Sequence, residues 1–175
     1  VAAGEPLAEA RRMVGDVEGV SLVELPTNDS WLRDSGPVFL SAQPGRETLP
    51  PAAVAFGYNA WGGKYPPWDN DAALGGRIAT SLGMRVFSPS LVLEGGAIDT
   101  DGAGTLLANR LCVVDERRNP GRSAEEIEQQ LGDSLAIERV IWTVGDLAGD
   151  DTDGHIDQLA RFVAPGRVLA ARQPD

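Results

Sequence analysis

The sequence has very few cysteines and histidines, with one of each in 175 residues. The single cysteine, Cys112, excludes an internal disulfide, and no run of about 18 apolar residues predicts a transmembrane helix. Basic residues are also scarce, since 15 Lys and Arg stand against 26 Asp and Glu and give a net charge of −11. This charge argues against binding to nucleic acids or anionic membranes. It suits a small cationic ligand, or it simply keeps the surface soluble.

Signatures of several other site classes are missing as well. No glycine-rich stretch fits a nucleotide-binding pattern, and no HExxH, second histidine or paired cysteine predicts a zinc site. A metal hydrolase that uses His155 and Asp157, with Asp34 or Glu94, remains an alternative. No signal-like segment opens the chain, so the cytoplasm is the expected location. The initial Val1 suggests a piece of a longer protein.

The residues that are present suit one globular α/β domain. Apolar residues make up 42% of the chain, and 21 Gly and 12 Pro predict many turns. Capping and stop residues around apolar segments predict three helices, at 6–14, 69–82 and 123–131. A short β-branched or apolar run follows each helix and predicts a strand, at 20–25, 84–89 and 137–144.

The order of helix, strand, polar loop and hairpin occurs three times and predicts an internal repeat. Glycine-containing hairpin turns are expected at 43–47, 100–105 and 164–168. Asp34, Glu94 and His155 occupy corresponding loops, 60 and then 61 residues apart. This spacing predicts three αβ units in one domain, at 1–56, 57–112 and 113–175. Because corresponding loops of stacked units lie at the same end, these three side chains and Asp157 are expected to meet.

The acids in these loops, together with the only histidine, indicate a site for a cation. Two or more carboxylates directed at one pocket suit a planar guanidinium, which presents its donors in a fixed fork. In a strand, His155 and Asp157 would project from the same face, and a histidine can transfer protons near neutral pH. Each acid also has an ordinary alternative, such as pairing with Arg33, capping a turn or facing solvent.

Two tryptophans are further candidates. The connection at 57–71 has no strand or helix pattern and contains two Trp and two Tyr. Long aromatic loops inside compact domains are often functional. Trp31 and Trp61 are flanked by chain breakers and polar residues, so a core role is less easily assigned to them than to a tryptophan in a strand. Cys112, at the end of a hairpin strand, is predicted to be a buried structural thiol.

Several stretches together resemble a known family. They are PTNDSWLRDSGPVFL (26–40), YNAWGGKYPPWDND (58–71), LEGGAIDTDGAGTLLA (93–108), RRNP (117–120) and DTDGHIDQLARFVAPG (151–166). In this order they resemble the agmatine deiminases of the bacterial-type peptidylarginine deiminase family, in the pentein superfamily. The resemblance implies a pentein-like α/β-propeller, of which this chain would contain about three of five αβ repeats. It also implies hydrolysis of agmatine to N-carbamoylputrescine and ammonia, through a covalent thiouronium on a cysteine.

The resemblance assigns roles to four polar residues. Asp34 and Asp157 would bind the guanidinium nitrogens from opposite sides, and Glu94 would bind the guanidinium and assist proton transfer. His155 would be the general acid and base that protonates the departing ammonia and activates water. Carboxylates suit this task, because they orient the cation and keep its carbon electrophilic.

Three further residues would contact the substrate. Trp31 would form an apolar wall, Trp61 would belong to a lid, and Asp151 would bind the distal amine. The implied partner is a small guanidinium cation, agmatine, with no nucleic acid or membrane. The resemblance implies neither a metal nor another cofactor.

The chain departs from the family pattern at two places. Asp99 stands where the family has histidine, and no role is assigned to it. The family nucleophile is a cysteine in a GGGNIHC-like motif, which this sequence does not contain. We therefore expect the chain to correspond to the middle three of five units and to be inactive by itself. An apolar edge left exposed is expected to favour self-association into a homo-oligomer.

Two other functions stay open at this point. The protein could act on peptidylarginine or free arginine, whose carboxylate would require a cation in the pocket. The acidic run at 150–153 favours the amine of agmatine instead. Alternatively, the chain is a non-catalytic module that binds cations with its carboxylates.

Overall fold

The computed structural model describes residues 1–42 and 49–172 and shows a mixed α/β fold. The helices are α1 (Glu5–Val14), α2 (Leu32–Ser35), α3 (Ala60–Gly63), α4 (Asp69–Ser81), α5 (Arg110–Val113), α6 (Ala124–Leu135) and α7 (Ile156–Leu159). The strands are β1 (Val38–Leu40), β2 (Ala52–Val54), β3 (Arg85–Phe87), β4 (Ile98–Thr100), β5 (Thr105–Asn109), β6 (Arg139–Thr143), β7 (Ala160–Ala164) and β8 (Arg167–Ala170). A 3-10 turn, Gly95–Ala97, precedes β4. No helix within these two ranges is long and apolar enough to cross a membrane.

The two three-stranded sheets share one topology. In the first, β2 pairs antiparallel with β1 and parallel with β3. In the second, β5 pairs antiparallel with β4 and parallel with β6. A parallel neighbour needs a crossover connection, and helices α4 and α6 supply it. The remaining strands, β7 and β8, form an antiparallel hairpin.

All three predicted helices are confirmed as α1, α4 and α6. Ser123 and Glu126 form a capping box that starts α6. The expected stop at Gly132 is wrong, because α6 continues to Leu135 and ends at Ala136 in a left-handed conformation. The extension carries Leu135 onto the core, where its burial favours another helical turn.

Two of the three predicted strands are confirmed, as β3 and β6. The strand expected at 20–25 is wrong, because that segment contains no strand. It contacts the start of the chain instead: the Val1 ammonium donates to the Val23 carbonyl at 2.9 Å, and the Leu25 amide donates to the Val1 carbonyl at 3.0 Å. A β-branched run forms a strand only where a neighbour pairs with its backbone, and no described strand does so here.

The predicted hairpins at 100–105 and 164–168 are confirmed by the pairs β4–β5 and β7–β8. The turn expected at 43–47 lies outside the described residues, but the flanking strands β1 and β2 pair antiparallel. Exposed apolar side chains on and beside the last three strands include Val144, Val163 and Leu169. Self-association through such a surface stays a prediction.

The main core lies between α6 and the second sheet. Ile127 and Leu131, one helical turn apart, are fully buried against strand β5, together with Leu106. Cys112 belongs to the same cluster and is fully buried, which confirms the predicted buried thiol. Burial raises its pKa to about 12, so the thiol stays protonated. This core supports the loops that precede β4 and follow β6.

Replacing Ile127 by alanine should lower the free energy of unfolding by about 2–5 kcal/mol, because a fully buried side chain leaves a cavity. Met13 in α1 is 73% exposed. Met13→Ala is therefore a matched helical control that should change stability by less than about 0.5 kcal/mol. Urea denaturation followed by circular dichroism measures both variants. Equal losses would contradict the core assigned here.

Candidate functional site

The predicted site loops meet at an open cleft of about 1040 Å³. Six of the seven sequence-predicted site residues line it: Trp31, Asp34, Trp61, Asp151, His155 and Asp157. The seventh, Glu94, is not among the lining residues. Residues that the sequence did not single out complete much of the wall: Asp29, Arg33, Tyr65, Asp150, Thr152, Gln158 and Arg161.

Gly96 marks the point at which three of these side chains converge. A Cβ atom placed on Gly96 would lie 2.5 Å from His155 Nδ1, 2.7 Å from Asp34 Oδ1 and 2.8 Å from Asp157 Oδ2. The absence of a side chain therefore creates the space in which two carboxylates and an imidazole face each other. The sequence signal for this close approach is the glycine pair after Glu94.

Asp34 is almost completely buried at 7% exposure, on the short helix α2. Its Oδ2 accepts a hydrogen bond from the Trp61 indole at 3.1 Å, and its Oδ1 accepts one from the Gly96 amide at 3.1 Å. Burial raises the pKa of this carboxyl from 3.8 to about 6, although the two hydrogen bonds oppose the rise. Within the described residues, only His155 lies within ion-pair distance of it, with Nδ1 3.7 Å from Oδ1. The geometry suits an additional cation.

His155 is buried at 2% exposure and precedes the short helix α7. A turn leads into His155, and Asp157 lies in the first turn of α7, so the two side chains do not share a strand. The Asp150 carboxylate shapes this turn by accepting from the amides of Thr152 at 2.9 Å and Gly154 at 2.7 Å. Both side chains still reach one point, beside the Cβ position of Gly96.

The imidazole of His155 is neutral at physiological pH. Burial and the nearby Arg118 cation lower its pKa to about 4. Its Nε2 is buried and has no hydrogen-bond partner among the described residues. The opposite nitrogen, Nδ1, is the one that faces Asp34. The ring can therefore accept a proton in the cleft.

Asp157 is half-buried, and burial raises the pKa of its carboxyl while Arg33 and Arg161 oppose the rise. Arg161 also lies 3.3 Å from Asp99. The other oxygen of Asp99 accepts from the Phe162 amide at 2.6 Å, which connects β4 to β7. Asp99, to which the sequence assigned no role, thus has a structural contact behind the cleft.

Glu94 is completely buried, and its carboxylate is already bound to a guanidinium. The Arg118 Nε donates to both oxygens, at 2.9 and 3.0 Å. Burial raises the pKa of Glu94, and the charge of Arg118 opposes that rise. Sequence reasoning noted the RRNP stretch but missed Arg118 as a site residue. The available signal was the need of a buried acid for a cationic partner.

The aromatic residues form one side of the cleft. Trp61 is buried with a left-handed backbone, φ 57°, in the short helix α3. Its ring contacts Tyr58, Tyr65 and Trp31 edge-on, with centroids 5.6, 5.7 and 6.3 Å away. Trp31 is 56% exposed at the rim, where an apolar ligand chain could cover it.

Acidic residues on the rim of the cleft contact the segment that carries Trp61 and Tyr65. The Tyr65 hydroxyl donates to the exposed Asp151 carboxylate. Lys64 donates to the Asp151 carbonyl at 2.7 Å and forms an ion pair with Asp153 at 2.8 Å. These contacts place the Asp151 carboxylate on the wall of the cleft.

One group of side chains has the residue types of a metal site but lacks the free negative charge that a metal ion requires. Ligand atoms of Glu94, Cys112 and His155 lie within 4.8 Å of one another. However, Arg118 already binds Glu94, and the raised pKa of Cys112 disfavours the thiolate that a metal requires. The donor set therefore does not fit a cation. Asp157, the partner expected for His155 in a metal hydrolase, is not part of this group.

Curated proteins are similar to this chain in sequence. The chain is 40% identical over 165 residues to an agmatine deiminase of Pseudomonas syringae pv. syringae, covering 91% of this chain and 44% of that protein. A Pseudomonas fluorescens agmatine deiminase is 38% identical over 165 residues, with 91% and 44% covered. The chain thus spans less than half the length of these curated relatives.

Solved structures are also similar. An agmatine deiminase of Enterococcus faecalis superposes with a TM-score of 0.89 at 34% identity, over 100% of this chain and 48% of that chain. A C. jejuni agmatine deiminase with substrate bound gives 0.82 at 29% identity, over 93% and 47%. The model of the Porphyromonas-type peptidyl-arginine deiminase family matches residues 1–175. The chain therefore belongs to the Porphyromonas-type peptidyl-arginine deiminase family.

Proposed function

We propose that the protein carrying this chain hydrolyses the guanidinium group of agmatine to N-carbamoylputrescine and ammonia. The observation that carries the proposal is the convergence of Asp34, Asp157 and His155 on the space above Gly96. Similar proteins named agmatine deiminase support the choice of substrate. The family named after peptidyl-arginine deiminase supports the guanidinium chemistry.

The two aspartates bind and orient the guanidinium in this proposal. Asp34 and Asp157 accept hydrogen bonds from its nitrogens, and the bound cation keeps both carboxylates ionised despite their raised pKa. Glu94, which the sequence predicted to bind the guanidinium, lies behind the cleft wall with both oxygens bound to Arg118. Trp31 covers the apolar chain, with Trp61 behind it, and Asp151 receives the distal ammonium.

His155 moves the protons. As a neutral base it takes the proton of the attacking thiol while sulfur bonds to the guanidinium carbon. The imidazolium, with Asp34 3.7 Å from Nδ1, then protonates the nitrogen that leaves as ammonia when the C–N bond breaks. A water next gives a proton to His155 and attacks the same carbon, and the C–S bond breaks. The thiolate then takes the proton of the imidazolium, and the protonated ureido product releases its O–H proton to solvent.

The attacking thiol is not Cys112 in this mechanism. Cys112 is the only cysteine of the sequence, is completely buried, and has a pKa raised to about 12. Its Sγ donates to the Thr152 carbonyl at 3.8 Å, beneath the cleft. We therefore infer that the nucleophile lies outside these 175 residues and that the chain binds the substrate without turning it over.

The same proposal includes the architecture. The identical order of β1–β2–β3 and β4–β5–β6, followed by a third hairpin, supports αβ repeats of a pentein-like propeller. On this proposal the chain holds about three of five repeats, with the divisions 1–56, 57–112 and 113–175.

Hydrolysis of arginine or peptidylarginine is the second candidate, and a specific observation favours it. Arg33 and Arg161 line the same cleft and could receive a carboxylate. The acidic residues Asp29, Asp150 and Asp151 on the rim favour a distal ammonium instead.

Isothermal titration of the purified chain separates these functions. Agmatine should bind, arginine should bind at least about tenfold more weakly, and putrescine, which lacks the guanidinium, should not bind measurably. Tighter binding of arginine would favour the second candidate, and no binding of either would contradict the proposed function. A ureido product formed by the chain alone would overturn the placement of the nucleophile outside it.

A further inference from the structure

The buried Arg118 uses all three nitrogens of its guanidinium on two separate segments. Its Nε binds the Glu94 carboxylate, as described above. Its Nη1 lies 3.2 Å from the Asp153 carboxylate, and its Nη2 donates to the Thr152 carbonyl at 2.9 Å. The side chain is completely shielded from solvent. One guanidinium thus joins the segment before β4 to the turn before α7.

The neighbours of Arg118 strengthen the same connection. The Asn119 side chain donates to the Val92 carbonyl at 2.9 Å and accepts from the Val92 amide at 3.0 Å, two residues before Glu94. Arg117 pairs with Asp153 at 2.9 Å. The RRN stretch therefore contacts both segments through three consecutive side chains.

The turn that Arg118 contacts also holds the imidazole. The Thr152 hydroxyl accepts a hydrogen bond from the His155 backbone amide at 3.1 Å. A ring nitrogen of His155 and a carboxylate oxygen of Glu94 lie within 4.8 Å of each other. A displacement of Arg118 would therefore alter the separation of these two groups.

We propose that Arg118 is a positioning residue that fixes the Glu94 carboxylate and the His155 imidazole relative to each other. Arg118 is fully buried and is not among the residues that line the cleft. Its role in ligand binding rests on the proposed function, whereas its effect on His155 does not.

The charges around His155 determine what the loss of Arg118 would do. The groups that face or influence the imidazole are Asp34, Glu94, Cys112, Arg118, Asp150, Asp153, Asp157 and Lys64. Of these, Arg118 is the strongest cationic influence and lowers the pKa of the ring, while Asp150 and Asp153 raise it. Removing the guanidinium also leaves the Glu94 anion without its partner. Both changes favour the protonated imidazole.

A proton NMR titration of the free chain tests whether Arg118 acts on His155. His155 is the only histidine, so its Cε1–H signal needs no further assignment. The titration midpoint should rise by about one pH unit or more in Arg118→Met. The control Arg77→Met removes an exposed cation that lies in helix α4, away from the contacts of Arg118, and it should titrate like the natural chain. An unchanged midpoint in Arg118→Met would overturn the proposal.

Arg118→Lys separates positioning from charge. Lysine keeps the cation but cannot form the three-way contact of a guanidinium. Positioning predicts a displaced His155 signal and at least about tenfold weaker agmatine binding in this variant. If Arg118→Lys matches the natural chain in both measurements, Arg118 contributes only its charge and the proposal fails.

A double-mutant cycle covers the case in which Arg118→Met alone does not fold. Glu94→Gln/Arg118→Met has no unpaired buried charge and should unfold at a higher temperature than Arg118→Met. Because Arg118 Nε binds Glu94 directly, part of the effect of Arg118→Met should be absent in the Glu94→Gln background, and the loss of agmatine binding should be smaller there than in the natural one. Equal losses in both backgrounds would overturn the proposal. If the natural chain binds no agmatine, the proposed function fails. The NMR titrations of the Arg118 variants still decide the role of Arg118.

Discussion

Gly96→Ala is expected to abolish agmatine binding while leaving the chain folded. The new methyl carbon would lie 2.5 to 2.8 Å from polar atoms of His155, Asp34 and Asp157, closer than van der Waals contact allows. These side chains would have to move apart, and the arrangement proposed to hold the guanidinium would be lost. Isothermal titration should show a loss of at least about a hundredfold, near or beyond the detection limit.

Gly76→Ala provides the matched control for this substitution. Gly76 lies in α4, and a Cβ added there meets no heavy atom within 4 Å. The change should leave agmatine affinity unaltered and raise stability by about 0.5–1 kcal/mol, since alanine favours the helix. Normal agmatine binding by a folded Gly96→Ala chain would place the guanidinium elsewhere and contradict the proposed site.

The affinity for agmatine should decrease as the pH falls through about 6. The pKa of Asp34 is raised from 3.8 in the unfolded reference to about 6 in the folded chain. Below the folded pKa the carboxyl is protonated, so the guanidinium must displace a proton before it binds. Agmatine itself stays cationic throughout this range. Titrations at pH 7 and pH 5 should therefore differ by about tenfold.

Stability responds in the opposite direction, because the folded chain prefers the protonated carboxyl. The contribution of Asp34 is fully favourable below the unfolded pKa of 3.8 and is lost as the pH rises through about 6. Its full size is about 3 kcal/mol. A bound guanidinium offsets this loss by pairing with the ionised form.

Asp34→Asn is the control for the pH effect. It keeps the shape of the side chain but should bind agmatine at least about a hundredfold more weakly, because the anion is gone. Most of the dependence on pH between 7 and 5 should disappear with it. An unchanged affinity of the natural chain between pH 7 and pH 5 would contradict the assignment of Asp34 as the guanidinium anchor.

Local sequence signals located much of the fold and of the cleft. Ser123 was predicted to cap a helix and is the N-cap of α6, whereas Asp69 is the first residue of α4 and follows the N-cap Trp68. Glycine turns predicted the hairpins β4–β5 and β7–β8. The strand predicted at 20–25 does not form, because its β-branched residues have no partner strand among the described ones. Propensity expresses the preference of a residue, whereas a strand also depends on its neighbours.

The candidate polar residues were predictable because breaker-rich loops and near-equal spacing marked Asp34, Glu94 and His155. Their partners were not predictable. Arg118 reaches Glu94 across 24 positions, and the Gly96 amide reaches Asp34 across 62. No local pattern encodes such contacts, since they depend on how separate segments pack.

The sequence by itself thus determined the mixed helices and hairpins, the acidic character and the loops that carry the polar residues. These features follow from residue type and short-range spacing along the chain. Only the tertiary structure decided that Glu94 is paired with Arg118, that Asp34 has a raised pKa and that His155 is neutral. The reason is physical: the charge state of a group depends on its burial and on the charges around it, and both arise only when distant segments pack together.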